Sequence, residues 1–205
     1  MSVIIAGIHT GIGKTVCSAI LCQALGYDYF KPVQAGELNN SDSLLVRKYV
    51  TNPKCIIHPE VYKLKLAASP HYAAEQEGIE ITKEKIKLPS TQNNLVIETA
   101  GGLMSPLSKE FLNIDLAEHF NLPVILVSNN YLGGINHTLL SFEALQRRGI
   151  KIQGIIFNGI KVPASEEYIL GFTKLPLLFS VPQFEEVNAE SIGVFAKRIS
   201  SISVS

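Results

Sequence analysis

The chain is 205 residues long, 46% hydrophobic and 18% charged, a composition that supports one well-buried core and not a disordered chain. Eighteen Lys and Arg balance eighteen Asp and Glu, so the net positive charge with which a non-specific nucleic-acid binder neutralises phosphates is missing, as is a Lys/Arg block to hold an anionic membrane. No apolar run approaches the roughly 20 residues of a spanning helix, and MSVIIAGIHTG has no basic region ahead of its short apolar run, so neither a membrane segment nor a signal peptide is expected and the chain reads as cytoplasmic.

In chain order, Val3–Ala6 reads as a strand, Lys14–Leu25 as a helix and Tyr29–Val33 as a second strand. Asp42–Tyr49 has helical spacing with Ser41 as its N-cap, and a turn or two of helix follows Pro70, with Gly78 beyond its end. Residues 51–91 are otherwise weakly periodic. Leu95–Glu98 is the third strand and Val124–Ser128 the fourth, followed by a helix over Asn136–Arg148. Ile152–Phe157 is the fifth strand, Ser165–Phe172 a helix with Ser165 as a candidate N-cap, Leu177–Val181 the sixth strand and Glu190–Ile199 the closing helix. The strands are continuously apolar, as strands covered on both faces are, and their alternation with helices predicts a three-layer α/β/α domain around a mainly parallel sheet. Nothing divides the chain, so a single domain over 1–205 is expected. Cys17 and Cys22 lie inside a helical pattern without ligand spacing and read as buried free thiols; with Cys55 there are three cysteines, which cannot all pair.

Ligands of open parallel sheets bind at the carboxyl ends of the strands, and the chemistry-bearing residues cluster there. The first strand runs into GIHTGIGKT and then straight into a helix. Glycines let backbone N–H groups turn inward around a phosphate and the helix N-terminus adds partial positive charge. Lys14 would reach the β- and γ-phosphates and the Thr15 hydroxyl would ligate Mg²⁺. Five residues separate Gly7 from Gly13-Lys14-Thr15, one more than in the usual phosphate-binding loop, yet the strand–loop–helix context is the required one. Glu98 closes LVIE ahead of Thr99-Ala100-Gly101-Gly102; an acid there can face the loop and hold the metal, or be a plain surface acid at a strand end. Lys31, at the end of the second strand in FKPVQAG, can supply compact positive charge to a transferring phosphoryl group, although alone it would read as an exposed lysine. Asp42 reads equally as a metal ligand and as an acid favoured at a helix start. Asn158-Gly159 offers an amide to a purine edge or forms a turn. Leu132-Gly133-Gly134-Ile135-Asn136 is a suitable nest for a substrate carboxylate, or a loop before a helix. His71 and His137 have no companions at metal spacing and read as satisfied or solvated.

Together these pieces resemble the dethiobiotin synthetase family over nearly the whole chain, in order: GIHTGIGKT, KPVQAG, NSD, SPH, ETAGG, LPVILV, LGGINH, FNG and SVPQF. The resemblance implies a P-loop NTPase-like fold and a homodimer. It also implies a reaction that joins 7,8-diaminononanoate (7,8-diaminopelargonate) to CO₂ with ATP and Mg²⁺, giving dethiobiotin, ADP and phosphate. By motif it places the nucleotide phosphates on Gly11, Ile12, Gly13, Lys14, Thr15 and Val16, with Thr99, Ala100 and Gly101 beside them. Mg²⁺ falls to Thr15, Asp42 and Glu98, and Lys31 to the active-site lysine acting with Lys14. Adenine falls to Asn158, Gly159, Val181, Pro182 and Gln183, and the substrate to Thr10, Ala35, Gly133, Gly134, Ile135, Asn136 and Tyr168. Four positions depart from the family pattern. Ala35 replaces a frequent Ser or Thr, Gly11 a common acid, His9 a usual Asp or Asn, and Thr99 a usual Gly. Rival readings are a partitioning or cell-division switch ATPase, a nucleotide-binding module without catalysis, and an amide-forming ligase for another acid. The switch proteins usually carry a lysine where His9 stands, and a non-catalytic module would be expected to lack Lys31 or Glu98.

Overall fold

A computed structural model describes residues 1–199. Six strands form an all-parallel sheet in the order β2-β5-β1-β6-β7-β8, with β1 Val3–Gly7, β2 Asp28–Phe30, β5 Leu95–Gly102, β6 Val124–Ser128, β7 Ile152–Asn158 and β8 Leu177–Val181. β3 Val33–Ala35 and β4 Tyr62–Leu64 make a separate parallel pair. The helices are α1 Lys14–Leu25, α2 Asp42–Tyr49, α3 Pro70–Gln76, α4 Asn113–Phe120, α5 Gly134–Arg147, α6 Pro163–Thr173 and α7 Ala189–Ile199.

Alternation along β1 shows why its sequence is uniformly apolar. Val3 and Ile5 pack in the cluster that holds Cys17, Ile20 and Leu21 of α1 and Ile192 and Phe195 of α7. Ile4 and Ala6 face the opposite cluster, with Ile114 and Leu116 of α4 and Leu145 of α5. Both sheet faces are dry, the expected price of a parallel sheet's helical crossovers.

The chain leaves β1 for β2 and β5 on one side and later crosses to β6 on the other, so the carboxyl end of β1 is a topological switch point. β5 slips against β1 there: Ile5 pairs with Glu98 but Gly7 with Gly102, so β5 bulges over Thr99–Gly101 beside the P-loop.

Several expected boundaries move. The strand expected over Tyr29–Val33 is broken at Lys31-Pro32, because proline has no N–H for a ladder; Val33 starts the small second sheet instead. Lys31 therefore lies just past β2. Glu98 is not a strand tip but the fourth residue of an eight-residue β5. α6 begins at Pro163 with Val162 as N-cap, so Ser165 lies inside the helix. α5 begins at Gly134, with Gly133 as a left-handed N-cap at φ 99°. Three elements are not expected from sequence: a 3-10 turn over Leu38–Asn40, β4, and α4, whose start is held by the Leu112 N–H donating to Asp115 Oδ2 at 2.6 Å. Ser41 does cap α2, accepting from the Leu44 N–H.

Candidate active site

The loop between β1 and α1 places Gly11 at φ 74° and Gly13 at φ 87°, left-handed conformations that turn the backbone toward the α1 N-terminus. Glycine is required at 13 for a second reason: a Cβ there would fall 2.2 Å from Asn158 Nδ2. That amide donates to the Ile12 carbonyl at 2.9 Å and so ties the end of β7 to the P-loop. Thr15, on the first turn of α1, sets its hydroxyl oxygen 2.9 Å from both Asp42 Oδ1 and Glu98 Oε1, so its one proton serves either carboxylate. Asp42 is the first residue of α2, the helix-start acid that the sequence allows, and its carboxylate also points inward to Thr15.

Lys31 is 4% exposed, its ammonium paired with Asp42 Oδ2 and lying 3.5 Å from Glu98 Oε1. Burial pulls the Lys31 ammonium toward neutrality, but Glu98 and Asp42 outweigh it and hold its pKa above the usual lysine value. Burial would raise the Asp42 carboxyl; Lys31, with help from Thr15, holds it below the usual carboxylate range instead. Lys14 is also buried, and there burial wins over the attraction of Glu98 and lowers its pKa. Its ammonium reaches back to the His9 carbonyl at 3.4 Å. Behind the carboxylates the fully buried Tyr29 donates its hydroxyl to Glu98 Oε2 at 2.9 Å, and burial, then Glu98, pushes that phenol well above its ordinary pKa, so it stays a donor.

In front of Tyr29, the residues Lys14, Thr15, Lys31, Asp42 and Glu98 line a cavity of about 570 Å³. Of the residues expected at the site, Thr10, Gly11, Gly13, Lys14, Thr15, Lys31, Ala35, Asp42, Glu98, Ala100 and Gly101 line it. Asn158, Gly159 and Val181 are brought together nearby: Asn158 pairs with Val181 across the β7–β8 ladder, and the Gly159 N–H donates to the Val181 carbonyl at 2.9 Å. Pro182 and Gln183 follow, exposed. Ile12 is buried in the apolar cluster on the α1 side and Val16 packs against that cluster, so both offer backbone and not side chain. Thr99 is the exception: fully buried, with its hydroxyl donating to the Ile5 carbonyl at 3.2 Å, it braces the sheet and its side chain does not reach the cavity.

Gly133–Asn136 do not line the cavity either. They open α5 on the outer side of the P-loop, where His137 accepts or donates a 2.5 Å bond with the Tyr131 hydroxyl and its ring lies 6.4 Å from that of His9. His137 is thus a satisfied histidine, as expected, whereas His71 buries Nδ1 without a hydrogen-bond partner among the described residues. Tyr168, on α6, is 55% exposed and stacks on Phe172 away from the cavity.

Sequence reasoning missed several residues. Gln34 accepts from the Asp42 N–H, Ser105 Oγ accepts from the Gly102 N–H, and buried Asn113 donates to the carbonyls of Ala100 and Gly102. Ser69 lines the cavity as well; Gln34 and Ser69 lie inside KPVQAG and SPH, whereas Ser105 and Asn113 carry no local signal. A larger cleft of about 1030 Å³ beside α3 and α4 shares no residue with the P-loop cavity.

Among the described residues, no group of three or more His, Cys, Asp or Glu is arranged to hold a metal, and no helix is long and apolar enough to cross a membrane. Two carboxylates and a hydroxyl are nevertheless the hard-oxygen set that suits Mg²⁺, which keeps several waters and takes its remaining oxygens from phosphate.

Residues 1–191 match the model of the AAA domain family. Among solved structures, the chain is similar to a ParA family ATPase from Chlorobium tepidum (TM-score 0.59, 14% identity, covering 99% of this chain and 94% of that one). It is also similar to the septum site-determining protein MinD complexed with Mg-ADP from Pyrococcus horikoshii (TM-score 0.57, 16% identity, 98% and 97% covered). At those identities the likeness is one of fold. Sequence relatives go further. The ATP-dependent dethiobiotin synthetase BioD of Cytophaga hutchinsonii is 47% identical over 196 residues, 95% of each chain. That of Christiangramia forsetii is 47% identical over 205 residues, covering 98% of this chain and 99% of its own. With identity at this level from end to end, and with the P-loop, Lys31, Asp42 and Glu98 gathered on one cavity, the chain belongs to the dethiobiotin synthetase family.

Proposed function

We propose that this chain, as one ligase domain, carries out the ATP-dependent closure of 7,8-diaminononanoate and CO₂ to dethiobiotin in biotin biosynthesis. The observation that carries the reading is the buried Lys31 set between Asp42 and Glu98 on the same cavity as Lys14. One substrate amine adds to CO₂ and loses a proton, giving a carbamate. A carbamate oxygen attacks the γ-phosphorus and ADP departs. The second amine attacks the resulting carbamic–phosphoric anhydride at carbon, closing the ureido ring and expelling phosphate. Negative charge accumulates on carbamate and phosphoryl oxygens throughout, so cations already in place, Lys14 and Lys31, stabilise it without reorganising. No protein nucleophile is required.

Gly11, Gly13 and the first turn of α1 cradle the phosphates, and Thr15, Asp42 and Glu98 are the donors for Mg²⁺. Bound there, Mg²⁺ supplies positive charge at the phosphate oxygens. Asn158, Gly159 and Val181–Gln183 would meet adenine, a reading supported by the Asn158 amide's bond to the Ile12 carbonyl of the P-loop. Thr10 and Ala35 meet the diamine, and Ala100 and Gly101 lie beside the phosphates.

Because Gly133–Asn136 and Tyr168 stand outside their own chain's cavity, we assign them to the carboxylate tail of substrate bound by a second copy. The exposed Leu132, Leu140, Ile160 and Phe172 on the same flank, 52% to 103% exposed, favour a homodimer. A two-fold contact is self-complementary, so each chain would both give and receive this loop.

The test is ADP release with the diamine present or absent, in CO₂-free and CO₂-supplied buffer. ADP formation that needs both the diamine and CO₂ is expected. Release that proceeds without the diamine would point to a switch ATPase, and release with a different acid to a related ligase.

A further inference from the structure

Glu98 is gripped differently at its two oxygens. Oε1 accepts from Thr15 Oγ1 at 2.9 Å and faces Lys31 Nζ at 3.5 Å, on the cavity side. Oε2 accepts from the Tyr29 hydroxyl at 2.9 Å, inside the protein. Tyr29 has no exposed surface and belongs to none of the sequence motifs that mark the site. Its backbone is fixed along one edge by the 56–58 segment, with Tyr29 bridging Ile57 in parallel. The Tyr29 N–H donates to the Ile56 carbonyl, and the Tyr29 carbonyl accepts from the His58 N–H, each at 2.9 Å. The β2–β5 register sets Tyr29 against Val96, two residues before Glu98 and therefore on the same face of the sheet. The phenol is thus delivered to one carboxylate oxygen by the sheet itself.

We propose that Tyr29 is a positioning residue that sets the cation preference of the site: by engaging Oε2 from behind, it leaves Glu98 one oxygen, Oε1, to offer a cation directly or through water. This rests on the reading of Thr15, Asp42 and Glu98 as the Mg²⁺ donors. A carboxylate restricted to one oxygen suits a small ion that demands near-octahedral geometry and keeps its waters. It disfavours Ca²⁺, which takes 6–8 oxygens and readily accepts a bidentate carboxylate. Without the phenol hydroxyl, Oε2 loses its partner and the carboxylate can turn to present both oxygens.

The test is ATP binding to the intact protein by calorimetry, with EDTA, Mg²⁺ or Ca²⁺, in wild type and Tyr29→Phe. Metal-free ATP affinity should be preserved while the ratio of Mg²⁺ to Ca²⁺ enhancement shifts about 10-fold toward Ca²⁺, the lower end of what losing a partner behind a metal ligand costs. An unchanged ratio, including an equal loss with both cations, overturns the proposal, since a merely structural tyrosine would move both alike. A wild-type protein whose ATP affinity ignores both cations overturns the donor assignment instead, so the two failures read differently. Should Tyr29→Phe not fold, wild type made with 3-fluorotyrosine decides. The buried Tyr29 fluorine resonance should shift when Mg²⁺ is added to the ATP complex, and a resonance blind to the cation refutes the coupling.

Discussion

Replacing Lys31 with methionine keeps the length and apolar stem of the side chain and removes only the charge. In the free protein that charge sits between Asp42 and Glu98, whose side chains are 27% and 1% exposed. Breaking a buried pair by deleting one partner costs about 3–5 kcal/mol, and solvent access at Asp42 screens part of this, so about 3 kcal/mol is the expected loss. The loss has a defined pH window. Asp42 is held below its ordinary 3.8, so its contribution is present above that value and disappears as pH falls through the depressed one. Lys31 is held above 10.5, so its contribution is complete below 10.5 and disappears as pH rises through the raised value. The stability gap between wild type and Lys31→Met, measured by urea unfolding, should therefore be flat from about pH 5 to pH 9 and close only in stronger acid or base. In turnover, removing a preorganised cation from a developing oxyanion costs about 10²–10³-fold in kcat. ATP affinity without the diamine should change far less. Mg²⁺ dependence should not weaken, because the variant leaves two carboxylates and no competing ammonium. Steady-state ADP assays with ATP, diamine and Mg²⁺ each varied separate these quantities. A kcat within tenfold of wild type alongside a large loss of ATP affinity would refute the reasoning and make Lys31 a ground-state nucleotide contact.

Gly13→Ala forces a left-handed alanine and sets its Cβ 2.2 Å from Asn158 Nδ2, so ATP binding by calorimetry should fall more than about 10-fold, and Asn158→Ala should not restore it because the φ of 87° remains. Cys17 and Cys22 are fully buried with thiols pushed up by burial, whereas the half-buried Cys55 is lowered by its hydrogen bond with Cys22; an aromatic disulfide reagent should label Cys55 first and reach the other two only on unfolding, as mass spectrometry of timed samples will show. Lys31→Ala and Asn136→Asp chains, each nearly inactive alone, should recover roughly a quarter of wild-type activity when mixed and allowed to exchange, since one site in each mixed dimer is then intact; no recovery despite proven exchange would place the carboxylate within one chain.

Much of this protein is written in short-range pattern. Continuously apolar strands require cover on both faces, so Val3–Gly7 and Val124–Ser128 announce a parallel sheet before any pairing is known. Glycines at 11 and 13 followed by Lys14-Thr15 announce the phosphate loop, because few other residues tolerate those backbone angles ahead of a helix start. The α4 helix was not legible: it is eight residues long and its start is held by Asp115 bonding the Leu112 N–H, without a Ser or Thr at the cap. β4 was hidden because a three-residue strand has too few positions to show a period. The break at Pro32 was legible in principle, since proline cannot continue a ladder, yet the partner that makes Val33–Ala35 a strand lies 29 residues on and only folding reveals it. The site is the plainest case. Thr15 lies 27 residues from Asp42 and 83 from Glu98, and Tyr29 lies 69 from Glu98. Residue type marked Thr15, Lys31, Asp42 and Glu98 as candidates, but which oxygen each meets is set by strand register and by the bulge that β5 makes against β1. Those long-range pairings have no local pattern, so the tertiary structure alone decided that Lys31 is buried, that Thr99 turns away, and that a tyrosine outside every motif holds the carboxylate from behind.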